Sequence, residues 1–278
     1  MKKLTIVTVS ILTAFLAAGC IADRHVKTLY SNDPQQTASD KTIKWVQVAP
    51  GLASSDLLIP YQENDQKEIL LVSIDPKLFR FKIYINKEES RAKSIEEIQQ
   101  EQHSLLTFNG SFFDEKFKAL GLLISEKKIL QKPLVSKLLN GIFGINENDE
   151  PVLINTTDLK APIPFYFAVQ NGPILIDNEG TIKIETDTGK TASRTAIGLD
   201  KDGHIIVITM QQSILNSSNA LSLYQFAHLL KESPLLAGLE LHSMLNLDGG
   251  PSTGIMVGGQ YFPEINDVQN VITVFSKS

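Results

Sequence analysis

Residues 195–209 read TAIGLDKDGHIIVIT, and this stretch decides the type of fold. Two apolar runs, Thr195–Leu199 and Ile205–Thr209, flank the polar segment Asp200–Gly203. A short segment rich in Asp and Gly between two such runs is typical of a β-hairpin. The stretch therefore predicts two antiparallel strands, with a tight turn between them.

Further apolar runs extend this pattern in both directions. Two helices are also indicated, because Ser94 and Ser222 each begin a capping box. Since the strands outnumber the helices and do not alternate with them, we expect an α+β fold. It would be a single domain, residues 44–278, with mixed or antiparallel sheets and a few packed helices. The other predicted strands are Lys44–Val48, Glu68–Ile74, Phe79–Ile85, Leu105–Phe108, Gly121–Ile124, Ile142–Ile145, Tyr166–Val169, Ile174–Ile176, Gly254–Val257 and Val271–Phe275.

Composition excludes several classes of protein. The 278 residues are 42% hydrophobic and 21% charged, which is typical of a globular chain rather than a disordered one. The net charge of -5 argues against nucleic acid as a partner, since phosphate binding needs a cationic surface. A single cysteine excludes an intrachain disulfide framework.

The first 20 residues are predicted to form an export signal. Lys2 and Lys3 precede an apolar run, Leu4 to Ala18, that is short for a transmembrane helix. The run ends in Leu-Ala-Ala-Gly before Cys20, which resembles a bacterial lipobox. Residues 1–20 are therefore interpreted as a lipoprotein signal peptide and residues 21–43 as a polar tether.

This interpretation places the mature protein in the cell envelope of a bacterium, anchored to a membrane by acyl chains on Cys20. If the host is Gram-negative, Ile21 after the cysteine favours the outer membrane. The alternative is an ordinary cleavable signal in which the cysteine is incidental.

Two segments resemble known catalytic or nucleotide-binding motifs, but each lacks a required residue. Thr188-Gly189-Lys190-Thr191 imitates the end of a P-loop, but Ile184 occupies the position of the first glycine. The string GPSTG, residues 250–254, fits the nucleophile elbow of hydrolases, yet no histidine follows it. A zinc site is not indicated, since no paired histidines at metal spacing occur.

Three polar segments stand at the ends of predicted strands: FNGSFFD (108–114), SRTAIGLD (193–200) and LNLDGGPSTG (245–254). Asp248 and Asp114 supply carboxylates for acid–base or nucleophilic work, and Arg194 supplies a planar cation suited to phosphate. The glycines allow close backbone approach and leave N–H groups free to bind anions. Each segment alone is also compatible with an ordinary turn or a surface strand.

In this order and spacing the three segments resemble the phosphodiester glycosidase family. The resemblance spans roughly Ile69 to Phe275, and it includes Gln170, Asn171 and the two residues that follow them. One departure is Pro251, where the family often has glycine.

The resemblance implies hydrolysis of a sugar-1-phosphodiester on an envelope or extracellular glycan. From residue type we expect Asp248 to be the main carboxylate and Asp114 the second. The side chains of Asp248, Arg194 and Asn109 are expected to line one pocket, within about 10 Å of each other. Arg194 and the backbone of Gly110, Gly249 and Gly250 would hold the phosphate. The residues expected to bind sugar hydroxyls are Asn109, Gln170, Asn171, Ser252 and Thr253.

The argument requires no cofactor, although an Asp-lined site could hold Ca²⁺ or Mg²⁺. The partners expected are a sugar-phosphate or glycan and, through the anchor, a membrane. The alternative function is a non-catalytic glycan-binding or envelope-organising lipoprotein on the same fold.

Anchoring through Cys20 gives a direct prediction. Replacing the thiol that would carry the acyl chains, by Cys20→Ser, is expected to abolish incorporation of radioactive palmitate and to release or mis-process the protein. Persistent labelling of the variant would contradict the lipoprotein interpretation.

Overall fold

The computed structural model describes residues 42–86, 92–212 and 218–277. The predicted signal peptide and residues 21–41 of the predicted tether lie outside the described residues, so the assignment of Cys20 stays a prediction.

In chain order, the first strands of the described part are β1 (Val46–Ala49), β2 (Leu52–Gln62), β3 (Asp65–Ile74), β4 (Phe79–Ile85), β5 (Leu106–Asn109), β6 (Leu123–Ser125), β7 (Lys128–Gln131), β8 (Gly141–Asn146) and β9 (Pro151–Asn155). They are followed by β10 (Phe165–Asn171), β11 (Ile174–Ile176), β12 (Arg194–Leu199), β13 (Ile205–Met210), β14 (Ser243–Asn246), β15 (Ile255–Val257), β16 (Gln260–Phe262) and β17 (Asn270–Ser276). The helices are α1 (Ile95–Gln102) and α2 (Leu223–Glu232).

Within the described residues these strands form three sheets. The largest has the order β1-β2-β3-β13-β12-β14-β11, the second β7-β6-β10-β8-β9 and the third β16-β15-β5-β17-β4. Neighbouring strands pair antiparallel in each sheet. The predicted α+β class and single domain are therefore confirmed.

The hairpin of β12 and β13 forms as predicted, with Leu199 opposite Ile205. Asp200 closes the turn, since its Oδ1 accepts the backbone N–H groups of Asp202 at 2.9 Å and His204 at 2.8 Å. Both predicted capping boxes are also present, at Ser94 before α1 and at Ser222 before α2. Local chemistry thus determines these turns and helix starts.

Five observed strands have no counterpart among the predicted runs: β2, β7, β9, β14 and β16. The first, β2, contains Asp56 and Pro60, which disfavour a strand by composition. It forms because its partner β3 covers its whole length, and Pro60 lies where the register of the pair shifts. Pairing with a neighbour overrides local preference here.

The seven-stranded sheet is covered on both faces, which explains the continuous apolar run of β3. Alternate residues of that strand enter different cores, Leu70 and Val72 on one face and Ile69 and Leu71 on the other. The first core lies against the other two sheets, and the second contains the apolar face of α2. This layering brings strand ends from all three sheets together.

No helix among the described residues is both long and apolar enough to cross a membrane.

Candidate active site

The side chain of Asn109 joins the three polar segments. Asn109 is the last residue of β5 and is fully buried. Its Nδ2 donates to the backbone oxygen of Asp248 at 2.7 Å. Its Oδ1 accepts from Thr195 Oγ1 at 2.7 Å and from the Gly254 N–H at 3.2 Å. One carboxamide therefore fixes β5, β12 and the loop after β14 relative to one another.

Asp248 lies just beyond β14 and is half-buried. Its Oδ1 accepts the Gly249 N–H at 2.8 Å, and the Ser252 side chain hydrogen-bonds to the same carboxyl group. Burial raises the pKa of Asp248 to about 6, and the bonds from Ser252 and Gly249 act in the opposite direction by favouring the charged form. A carboxyl group that titrates near pH 6 can exchange a proton under neutral conditions.

Arg194 begins β12, beside the loop that carries Asp248. Ala196 pairs with Asn246, and the Leu247 N–H donates to the Thr195 oxygen at 2.9 Å, so the paired strands bring both residues to one end. Thr195 faces Asn109, and alternation along the strand turns Arg194 to the other face.

The guanidinium of Arg194 is fixed by two backbone acceptors, which hold it on that face. Its Nε donates to the Leu221 oxygen and its Nη2 to the Lys190 oxygen, each at 2.9 Å. Burial lowers the pKa of Arg194, but a guanidinium keeps its charge at neutral pH. Its other N–H groups make no hydrogen bond within the described part of the chain, which leaves donors for an anion.

A family model described as phosphodiester glycosidase matches residues 103–275, which is more than half of the chain. The chain belongs to the phosphodiester glycosidase family. The match contains all three polar segments joined by Asn109.

Solved structures share the fold of this phosphodiester glycosidase domain. The catalytic domain of zebrafish N-acetylglucosamine-1-phosphodiester α-N-acetylglucosaminidase, auto-inhibited by its pro-peptide, matches with a TM-score of 0.65 at 18% identity, covering 82% of this chain and 85% of that one. A hypothetical protein from Synechocystis matches with a TM-score of 0.65 at 16% identity, covering 84% of this chain, which spans only 64% of that protein. A putative exported protein from Burkholderia pseudomallei K96243 matches with a TM-score of 0.55 at 11% identity, covering 76% of this chain and 74% of that one. Curated protein sequences give no significant match.

The backbone N–H groups expected to hold a phosphate are occupied inside the glycosidase domain. Gly110 donates to the Asn270 oxygen at 3.0 Å, and Gly250 donates to the Ser193 oxygen at 2.9 Å. Gly249 donates to Asp248 itself. In this conformation the three glycines therefore do not form the anion-binding backbone that their sequence suggests.

Gly110 is instead needed for packing. A Cβ at this position would lie 2.1 Å from Asn270 Oδ1. That oxygen accepts the Ser111 N–H at 2.8 Å, so Asn270 braces the backbone beside Asn109. Neither Asn270 nor Ser111 is among the expected site residues.

The carboxylate of Asp114 is engaged in a local turn. Its Oδ1 accepts the backbone N–H groups of Lys116 and Lys118, both at 3.0 Å. These bonds shape the turn that follows Phe113, so Asp114 is a turn-forming residue, and its role as a second catalytic carboxylate stays a prediction.

Gln170 is fully buried and binds only the backbone of the protein. Its Oε1 accepts from Leu122 and Leu134, both at 2.9 Å, and its Nε2 donates to the oxygens of Leu134 and Leu139, at 2.6 and 2.8 Å. The amide has no group left for a sugar. It fixes the loop after β7 instead.

Asn171 does meet the first polar segment, since its Nδ2 donates to Ser111 Oγ at 3.1 Å. Its Oδ1 is buried without a partner among the described residues, as are Thr253 Oγ1 and Asn246 Oδ1. Such oxygens mark positions for bound water or a ligand hydroxyl. Asn246 was not expected, although it stands in the same polar segment as Asp248, two residues earlier on a strand.

Two surface cavities, of about 370 and 360 Å³, lie away from Asp248, Arg194 and Asn109. The first follows the strand of Asn171, and its lining includes Asn140, Asn155, Pro173, Asp177 and Asn178. The second is lined by Gly180, Lys201, Leu230, Glu240 and His242, among others. The expected shared pocket is therefore not one of these cavities, although the three strand ends do converge.

One group of possible metal ligands occurs among the described residues, formed by Asp200, Asp202 and His204, with ligand atoms within 4.8 Å of one another. The hairpin turn accounts for this geometry, because Asp200 caps it. The group stands at the opposite end of β12 from Arg194. A cation there would not reach Asp248, and Ca²⁺ needs six or more oxygen ligands. Binding of Ca²⁺ or Mg²⁺ stays a prediction.

Asn109→Ala is expected to lower the free energy of unfolding by roughly 2–4 kcal/mol, because it leaves buried partners of three hydrogen bonds unpaired. Chemical denaturation monitored by circular dichroism measures the change. Asn178→Ala is the matched control, since Asn178 is exposed and donates one bond to the Leu153 oxygen. Equal effects of the two substitutions would contradict the joining role of Asn109.

Proposed function

We propose that this protein hydrolyses the glycosidic bond of a sugar-1-phosphodiester, releasing the sugar and a phosphomonoester. The observation that carries the proposal is Asp248, a half-buried carboxyl group with a raised pKa at the junction of the three family segments. Membership of the phosphodiester glycosidase family supports the reaction class.

The chemistry suits a single well-placed carboxylate. A phosphomonoester is a good leaving group, so its departure needs little help from a general acid. The main task is to stabilise positive charge on the sugar carbon and to activate water or form a covalent bond there. Asp248, oriented by Ser252 and the Gly249 N–H, would do this in its ionised form.

Arg194 is our candidate for the phosphate group. Its guanidinium is anchored through Nε and Nη2, and an anchored fork loses little freedom when it binds an anion. It stands at the same strand end as Asp248. A substrate held there would place its phosphate by Arg194 and its sugar carbon by Asp248.

The substrate that fits the predicted export and Cys20 anchor is an envelope glycan carrying a sugar phosphodiester. The alternative, a non-catalytic glycan-binding lipoprotein, is favoured by one observation. The cavity of about 370 Å³ is lined by several asparagine and acidic residues, which suit sugar hydroxyls, and neither Asp248 nor Arg194 is part of its lining.

Hydrolysis in ¹⁸O-water tests the proposal. We expect attack at the sugar carbon, and therefore no ¹⁸O in the phosphomonoester, as read by mass spectrometry. The phosphomonoester decides the result because its oxygens do not exchange with water during the assay. Label in the phosphomonoester would mean attack at phosphorus, and absence of turnover with binding of the diester would favour the non-catalytic alternative.

Asp248→Asn is expected to lower kcat/KM by about 10²–10⁴-fold, since the amide cannot take a proton or attack carbon. In the unsubstituted enzyme, kcat/KM should rise with pH through about 6, where the carboxyl group ionises. Asp114→Asn tests whether the second candidate carboxylate is needed for catalysis, and this variant should retain hydrolysis. An equal loss in both variants, with stability unchanged, would favour a two-carboxylate mechanism.

Stability gives the same variant a second readout. The folded pKa of Asp248, about 6, exceeds the ordinary value of 3.8, so the folded state binds protons more tightly. The contribution of Asp248 to stability is therefore lost as pH rises from about 4 through 6. At pH 7 the Asp248→Asn variant should therefore be more stable than the unsubstituted protein, by on the order of 1–3 kcal/mol, because its neutral amide avoids the cost of a buried charge.

A further inference from the structure

Exposed apolar side chains are concentrated in one part of the surface. Nine large apolar side chains are exposed among the described residues, and five of them fall within ten consecutive positions. Val135 is fully exposed, at 102% of its reference area. We refer to residues 128–138, which comprise β7 and the loop after it, as the apolar loop. Its exposed apolar residues are Ile129, Leu130, Leu134, Val135 and Leu138.

The same segment is cationic. Residues 127–140 contain four lysines and no acidic residue, in a chain whose net charge is -5. Lys127 pairs with Glu147 at 2.8 Å. Lys128, Lys132 and Lys137 are exposed and form no ion pair within the described residues. Their charges are available to an external anionic surface.

The apolar loop is held in this exposed position by defined contacts. Gln170 bonds to both backbone groups of Leu134 and to the oxygen of Leu139, and Ser136 Oγ accepts the N–H groups of Leu138 and Leu139. The Leu138 oxygen packs against Gly172, where a Cβ would come within 2.1 Å. Because the backbone is fixed, the loop presents a preformed surface.

We propose that the apolar loop docks onto a lipid bilayer that contains anionic phospholipids. Exposed apolar patches flanked by charge mark interaction surfaces, and side chains such as Val135 and Leu138 can enter the boundary between headgroups and acyl chains. The lysines then lie among the anionic headgroups. A second copy of the chain fits less well, since two such cationic surfaces would repel each other.

Docking at this surface does not depend on Cys20 or on hydrolysis. The loop is attached to β10, which ends at Asn171 beside the Asn109 junction. A docked protein would therefore hold this edge of the candidate active site close to lipid headgroups. Substrates displayed on the membrane would then be within reach of the site.

A fluorescent probe on the loop tests the proposal directly. Cys20 is the only cysteine, so Cys20→Ser in the full chain allows a unique label at Val135→Cys. With a nitrobenzoxadiazole label there, we expect emission to rise on addition of vesicles of phosphatidylcholine and phosphatidylglycerol, but not of phosphatidylcholine alone. The matched control is the same label at Val46→Cys, an apolar position that is 64% exposed on β1 and should not respond.

Charge reversal provides the second measurement. Lys132→Glu with Lys137→Glu should raise the lipid concentration for half-maximal response by on the order of thirty-fold or more, since each lysine near an anionic surface contributes roughly five-fold in affinity. The control pair Lys116→Glu and Lys160→Glu, exposed elsewhere, should have little effect.

Three results would overturn the proposal. The first is an equal response to neutral and anionic vesicles. The second is a rise in emission with protein concentration alone, which would identify a second copy as the occupant. The third is an apolar environment of the label before vesicles are added, which would mean that another part of the chain covers the loop.

Discussion

The burial of a single carboxamide, that of Asn109, constrains everything around the candidate active site. Burying an amide without hydrogen-bond partners would cost free energy, because the group loses its bonds to water. The three hydrogen bonds of Asn109 offset this cost together. They require β5, β12 and the loop before β15 to end at one point. Asn270 and Gly110 fit behind this point with no room for a side chain on the glycine.

This constraint also determines the electrostatics of Asp248. Its backbone is tied to Asn109 and to the Gly110 oxygen, so the carboxyl group is held partly away from water. Arg194 is turned to another face of the sheet by strand alternation and bonded to backbone oxygens there. Desolvation therefore prevails over stabilisation by hydrogen bonds, and the pKa of Asp248 rises. Position in the fold, and not residue type, prepares this carboxylate for acid–base chemistry.

Strand β10 of the second sheet contributes two adjacent amide side chains with different roles. Gln170 lies beside Asn171 on β10, yet the two amides bind different segments. Asn171 contacts Ser111 at the junction, whereas Gln170 holds the apolar loop outward. One strand thus connects the candidate active site with the surface proposed to meet lipid.

The sequence by itself determined the hairpin at Asp200, the capping boxes at Ser94 and Ser222, and the three polar segments that mark the family, because each depends on residues close in the chain. The tertiary structure alone decided which polar groups remain free. The N–H groups of Gly110 and Gly250 and the amide of Gln170 look available in sequence, but each is bonded to residues distant in the chain. Strand β2 likewise forms only because β3 pairs with it. Hydrogen-bond partners and burial depend on residues distant in the chain, and local sequence carries no record of them.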